Sequence, residues 1–289
     1  MIRLEQEMMS KHTTFCVGGP AAFYLVPETM EEVPEALRFA REKKLPFYLI
    51  GRGSNILVGD GGYDGVIIEI GKGLEKIEFR PDGTVEAQAG ISLARMASRL
   101  ADRGLTGFEF ASGIPGTLGG AITMNAGAYG GEIKDCIKSA TVLTESGDRL
   151  VLDKEKMELG YRSSIVQKEQ YIVLSAIFSF EKGEPEQIKA QMKELNRKRR
   201  EKQPLEYPSA GSTFKRPEGY YAGKLIEDAG LRGYRVGDAQ VSEKHCGFVV
   251  NRGHATAAQI RQLMQDVQDT VKEKFQVDLE PEVRMIGKF

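Results

Sequence analysis

No stretch of this chain approaches the roughly 18 consecutive apolar residues that a membrane-spanning helix requires. Arg3, Glu5 and Glu7 open the sequence with no apolar run behind them, so no secretory signal peptide is expected. The three cysteines, Cys16, Cys136 and Cys246, are too few and too widely spaced for a disulfide framework or a zinc site, and suit a reducing cytoplasm. Of the three histidines, His12, His245 and His254, none is spaced with a carboxylate in zincin fashion, so each reads as surface or structural and no metal is expected. The chain lacks G-x-x-x-x-G-K-[ST], G-x-G-x-x-G and G-x-S-x-G, which argues against a P-loop nucleotidase, a Rossmann dinucleotide domain and a serine-hydrolase elbow. A formal net charge of −1 supplies no general attraction to nucleic acid or anionic membrane. Internal repeats and low-complexity tracts are also missing.

What is present is glycine in an unusual place. The run GIPGTLGGAITMNAGAYGG at 113–131 has almost no charge until Glu132, unlike a solvated flexible linker. Thr117, Thr123 and Asn125 are left as polar side chains among bare amides. Successive N–H groups in such a segment form anion-binding nests, and glycine permits close backbone approach. The run therefore reads as a buried loop laid along a phosphate-bearing cofactor; the alternative is a glycine turn that only lets two elements pack. Gly51-Arg52-Gly53-Ser54-Asn55, at the end of a strand, is either a plain turn or a second cradle, and a long cofactor needs two.

At 289 residues, 41% hydrophobic and 28% charged, the chain describes an ordinary globular protein of two or three domains. Strands are expected at 22–26, 47–50, 65–70, 84–89, 171–180 and 247–250, with a hairpin of 139–144 and 149–152. Thr29-Met30-Glu31-Glu32 reads as a capping box opening a helix to about Lys44, with Val33, Leu37 and Phe39 or Ala40 inward. Ser92 caps a helix closed by Gly104, and Thr256 caps one with Ile260, Leu263, Met264, Val267, Val271 and Phe275 at helical spacing. A helix over 186–200 ends in the basic run Arg197, Lys198, Arg199, Arg200, Lys202, read as a solvated helix terminus or as a steering patch for an anionic substrate. From these residues alone the chain is an α+β protein binding a phosphate-rich cofactor.

The ordered set GRGSN (51–55), the glycine run, YRSS (161–164), SAGSTFKRP (209–217), AGKLIEDAGLRGYRVGDAQVSEKHCGFVVN (222–251) and LEPEVRMIG (279–287) resembles the UDP-N-acetylenolpyruvoylglucosamine reductase family over nearly the whole chain. The resemblance implies a two-lobed FAD-binding fold of the vanillyl-alcohol-oxidase type (lobes 1–73 and 74–203) and a C-terminal α+β substrate-binding domain (204–282), with the tail 283–289 returning to the first lobe. It implies a cytoplasmic enzyme of peptidoglycan precursor synthesis that uses NADPH and FAD to reduce enolpyruvyl-UDP-N-acetylglucosamine to UDP-N-acetylmuramate.

By that resemblance Ser212 is the proton donor, Arg162 contacts the substrate carboxylate and developing enolate, and Glu282 polarises the intermediate or orients a donor. FAD would be held by Gly51, Arg52, Gly53, Ser54, Asn55, Gly113, Ile114, Gly116, Thr117, Gly119, Gly120, Asn125, Gly127 and Ala128, and substrate by Tyr161, Lys215 and Arg216. No histidine lies in sequence near 51–55, so FAD is expected to be non-covalent. A monomer is expected, with no nucleic acid or membrane partner. Residues 163–211, which separate Arg162 from Ser212, are too few for the tyrosine-bearing loop of the family's longer subgroup, so the chain resembles the shorter one. An FAD-dependent oxidase on the same cofactor fold and a non-catalytic nucleotide-sugar binder remain the alternatives.

Overall fold

The computed structural model describes residues 1–289. It contains two compact units, neither continuous in sequence. One comprises Met1–Leu4, Tyr24–Arg52 and Gly65–Arg199, and the other Glu5–Phe23, Gly53–Asp64 and Arg200–Phe289.

The elements begin with β1 (Ile2–Met8), β2 (Pro20–Val26), α1 (Glu32–Lys43), β3 (Phe47–Ile50), β4 (Ile56–Val58) and β5 (Tyr63–Glu69). Then come β6 (Ile77–Phe79), β7 (Val85–Gln88), α2 (Leu93–Ala101), β8 (Leu105–Thr106), α3 (Leu118–Thr123), β9 (Gly127–Ala128) and β10 (Gly131–Glu132). β11 (Ile137–Leu143), β12 (Arg149–Asp153), α4 (Ile165–Lys168), β13 (Ile172–Phe178), β14 (Glu181–Lys182) and α5 (Pro185–Lys202) follow. The chain closes with α6 (Ala222–Asp228), β15 (Arg235–Val236), β16 (Ala239–Val241), β17 (Val249–Asn251), α7 (Ala257–Phe275) and β18 (Arg284–Ile286).

A four-stranded sheet has the order β1-β2-β5-β3. β3 and β5 are parallel, Phe47 opposite Val66, and parallel neighbours need a crossover. That crossover is residues 51–62, so GRGSN stands where the chain leaves the end of β3. The fully buried Val66, Ile67 and Ile68 make β5 an apolar run, as a strand covered on both faces requires.

A second sheet, β12-β11-β13-β7-β6, is antiparallel throughout. The α3 helix packs on its β7 and β13 strands, and a Cβ on Gly119 would stand 3.1 Å from that of Ala89. Phe108 meets Phe110, Phe178 and Phe180 edge to face at centroid distances of 5.4, 6.2 and 6.0 Å.

The second unit is built around α7. Its Ile260, Leu263, Met264, Val267 and Val271 are buried as the spacing requires, and Phe275 packs at the edge of the same cluster. Thr256 and Gln259 form a capping box, and the Asp60 carboxylate accepts from the Ala257 and Ala258 N–H groups at 2.8 and 2.9 Å. A carboxylate at a helix N-terminus offsets both the orphan donors and the dipole. β18 lies parallel to β4, Arg284 opposite Ile56.

Two expectations need correction. The Thr29–Glu32 capping box does not form: Glu31 is the N-cap in helical conformation and no side chain caps it. A backbone turn already engages the Glu32 and Val33 N–H groups with the Thr29 and Met30 carbonyls. The Glu32 carboxylate instead accepts from Glu28 N–H at 2.7 Å and pairs with the Met1 ammonium at 2.6 Å. Of the two candidates for the inner face, Ala40 is the buried one; Phe39 is half-buried, with the Arg3 guanidinium 4.5 Å from its ring centre. Nor is the glycine run a continuous loop. Its middle winds into α3 because Leu118 and Ile122 have apolar ground to cover, and both are fully buried.

Candidate active site

The glycine run starts zipped along residues 89–93. Leu93 N–H donates to Gly116 O, Leu118 N–H to Ile91 O and Gly119 N–H to Ala89 O, at 3.2, 2.9 and 2.8 Å. This anchoring places Thr117 against the end of β3: a Cβ on Gly51 would stand 2.2 Å from Thr117 Oγ1. The two glycine segments thus meet at a point where no side chain fits. Gly113 is bare for a similar reason, since a Cβ there would meet Asn196 Oδ1 at 2.3 Å and Arg199 Cδ at 3.1 Å. Ile114 N–H closes a turn onto Ala111 O. Gly127 and Ala128 pair with Glu132 and Gly131 in a small hairpin.

Asn125 sits apart from these glycines in its behaviour. It is 1% exposed and left-handed at φ +42°. Its Nδ2 donates to Glu132 Oε2 at 2.5 Å and to Gly160 O at 3.1 Å, while its Oδ1 accepts from Lys134 N–H at 2.9 Å. The fully buried Ser164 donates to Thr123 O at 2.7 Å and caps α4 through Gln167 N–H. Between these two anchors Gly160 and Ser163 exchange N–H···O bonds of 3.0 and 3.3 Å. Tyr161 and Arg162 form the tip of that turn, with Arg162 at φ +53°. Its guanidinium lies 5.2 Å from the centre of the exposed Tyr161 ring.

Ser212 and Glu282 lie in the other unit, together. Thr213 O accepts from Glu282 N–H at 2.8 Å, and Phe214 bridges Pro281. The buried Thr213 also accepts Val249 N–H on its hydroxyl at 2.9 Å, and its own N–H donates to Gly247 O at 2.8 Å. Asn55 joins the same group: its Nδ2 donates to Glu282 O at 3.1 Å and its carbonyl accepts from Arg284 N–H at 2.9 Å. Ser212 is exposed and Glu282 half-buried. Gly211, at φ +76° with nothing within 4 Å of a Cβ, gives the left-handed step before the serine.

Residues 21–153 match the FAD binding domain family, and residues 203–286 match the family described as UDP-N-acetylenolpyruvoylglucosamine reductase, C-terminal domain. The UDP-N-acetylenolpyruvoylglucosamine reductase of Lachnoclostridium phytofermentans is 55% identical, over 98% of this chain and 92% of its own. The chain belongs to this reductase family. The Agathobacter rectalis reductase is 56% identical over 99% of this chain and 94% of its own. The solved Thermus caldophilus reductase aligns with a TM-score of 0.84 at 33% identity, covering 99% of this chain and 98% of that one. The α+β fold implied by the resemblance, cofactor domain first and reductase C-terminal domain after it, is borne out.

The residues suit the FAD of this family. A Cβ on Gly120 would meet nothing nearer than Thr117 Oγ1 at 3.8 Å, and one on Gly130 nothing within 4 Å, so the main chain there is open to a ligand. The first loop has a neighbour that sequence distance hid. A Cβ on Gly53 would stand 2.0 Å from His12 O, and Thr14 N–H donates to Gly53 O at 3.1 Å. The His12 ring itself is engaged, Nε2 to Glu7 Oε1 at 3.0 Å. Arg52 is exposed and Ser54 half-buried.

The basic run divides. Arg197 and Lys198 share Glu194 at 2.7 and 3.6 Å, and these cations, Arg197 first, hold its carboxyl down at about 2. The Arg200 carbonyl accepts from Lys244 Nζ at 2.7 Å. Arg199, packed on Gly113, is half-buried and burial lowers its pKa. Lys215 pairs with Glu280, while the Arg216 guanidinium lies 4.0 Å from the Tyr221 ring centre and donates to Tyr220 O at 3.2 Å. The Cys136 thiol is pushed up to about 12 by burial and is chemically quiet. No group of histidine, cysteine and carboxylate side chains could hold a metal ion, and no helix is long and apolar enough to cross a membrane.

Proposed function

We propose that this chain reduces the enolpyruvyl ether of UDP-N-acetylglucosamine to the lactyl ether, giving UDP-N-acetylmuramate for peptidoglycan precursor synthesis. When bound, FAD supplies hydride chemistry, accepting from NADPH and donating to the substrate double bond. The observation that carries the reading is the 2.8 Å bond from Glu282 N–H to Thr213 O. It sets Ser212 and Glu282 on paired segments, at the positions that the family resemblance names for proton donor and polarising carboxylate.

Hydride addition at the methylene carbon leaves negative charge on the adjacent carbon and its carboxylate. Arg162 holds that carboxylate, its planar fork suited to two oxygens. Ser212 delivers the proton to the carbon. A hydroxyl is a weak acid, so this requires a strongly basic carbanion in a site closed to water. Glu282 polarises the intermediate or orients the donor. The bare main chain of residues 51–55 and 113–128 carries FAD without a covalent link, and Asn125, whose side chain is occupied, contributes through its backbone. Tyr161, Lys215 and Arg216 contact substrate, with Lys215 exchanging Glu280 for phosphate. Residues 1–73 and 74–203 serve as cofactor lobes, 204–282 as substrate domain, and 283–289 return to the first lobe. The enzyme works in the cytoplasm as a monomer.

The test is an anaerobic visible spectrum. NADPH should bleach the flavin bands, and enolpyruvyl-UDP-N-acetylglucosamine should restore them. Restoration only by oxygen would make the protein an oxidase, and folded protein that takes up no flavin would end the proposal.

A further inference from the structure

We infer that Asn125 is a positioning residue for Arg162. The inference rests on the proposed role of Arg162 and adds a residue that acts through it.

Residue 162 adopts a left-handed conformation that is unfavourable for a residue with a side chain. Such conformations persist where the surroundings over-determine them. Here the turn is closed by its own pair of Gly160–Ser163 bonds, which fix its shape but not its place. Its place is set from outside: Asn125 Nδ2 holds Gly160 O and Ser164 Oγ holds Thr123 O, at 3.1 and 2.7 Å. Both anchors lie within residues 123–125, where α3 ends.

Asn125 is in turn immobilised from its far side. Glu132 Oε2 accepts its second N–H at 2.5 Å, and Lys134 N–H donates to its carbonyl oxygen at 2.9 Å. The Glu132 carboxylate is pinned by Lys134 Nζ at 2.6 Å, and Glu132 forms a capping box with Asp135. Every polar atom of the Asn125 side chain is thereby spent between the end of the glycine run and the arginine turn. Aspartate could not donate either bond, and glutamine would overshoot by a methylene. Without the Asn125 bond the Gly160 end of the turn loses its tie to the glycine run while the Ser164 end keeps its own, and misplacement of the guanidinium by about 1 Å can cost about 100-fold in rate.

Asn125→Gly is the variant of choice, since glycine accepts φ +42° and the substitution removes only the side chain. Stopped-flow under anaerobic conditions separates flavin reduction by NADPH from reoxidation by substrate. Asn125→Gly should retain FAD, be reduced within about twofold of the parent rate, and be reoxidised between about 10- and 100-fold more slowly. Asn125→Asp keeps the acceptor for Lys134 N–H and loses both donors; it should show the same split, and serves if the glycine variant does not fold. Combined with Arg162→Ala, either change should slow reoxidation no further than Arg162→Ala alone. Normal reoxidation, loss of FAD, slowed reduction, or multiplying effects in the double variant would each overturn the inference. If Arg162→Ala leaves reoxidation untouched, it is the role of Arg162 that fails.

Discussion

Gly51 and Thr117, far apart in the chain, stand so close that a methyl group on the glycine would lie 2.2 Å from the threonine hydroxyl oxygen. The contact joins the end of β3 to the start of α3. It explains why glycine ends that strand, independently of any ligand.

Gly51→Ala should therefore destabilise the protein before FAD is considered. Overpacking of this kind costs about 1–3 kcal/mol. Thermal unfolding of the apoprotein checks it, with Thr117→Ala as the partner change. The double variant should recover most of the lost melting temperature, because both Oγ1 and Cγ2 are then gone. Strict additivity of the two losses would show that the contact is not the cause.

Ser212→Ala should bind FAD and be reduced by NADPH as the parent is, yet be reoxidised by substrate about 100- to 10,000-fold more slowly, the usual worth of a positioned proton donor. Single-turnover absorbance measures both halves. Reoxidation at the parent rate would remove the hydroxyl from the proton-transfer step.

Acid precipitation should leave all the flavin in the supernatant. The fold puts the His12 carbonyl against Gly53 but keeps its ring on Glu7. Flavin that stays with the pellet would identify a covalent link, and His12 would be the residue to replace first.

Stability should fall on acidification below about pH 6.5 through His245. Burial lowers its pKa, outweighing an opposing backbone hydrogen bond and the Glu227 charge, while its Nδ1 accepts Gly247 N–H at 3.1 Å and must be unprotonated to do so. Between the depressed native pKa and the ordinary value near 6.5, the unfolded chain binds more protons, so stability rises with pH across that window. Urea denaturation at pH 7.5 and 5.5 should show a steeper acid loss in the parent than in His245→Asn. Equal losses would assign the acid sensitivity elsewhere.

Helix ends and strand spans were legible where their causes are local. Ser92 accepts Arg95 N–H three residues on, and Thr256 does the same for Gln259. The Thr29 box failed for an equally local reason, since a backbone turn had already engaged the first donors. Asn125 shows the limit of such reading. In the sequence it is a polar residue among glycines, and nothing marks that its amide reaches Gly160, 35 positions away. Thr213, whose carbonyl and hydroxyl hold Glu282 and Val249, carries no sequence signal either, because a buried threonine has no periodicity to betray it.

Residue type and short-range spacing suffice for the longer helices, for the two bare stretches of main chain and for the order of the motifs, but not for α3. Each of these depends on residue type and on spacing within a turn or two. Tertiary structure alone decided that Gly51 meets Thr117, that Glu282 pairs with the Ser212 segment, and that Asn125 turns from the cofactor run to the Arg162 turn. Those pairings are hydrogen bonds and contacts between distant segments, and their partners are chosen by how sheets and helices pack rather than by anything the neighbouring residues encode.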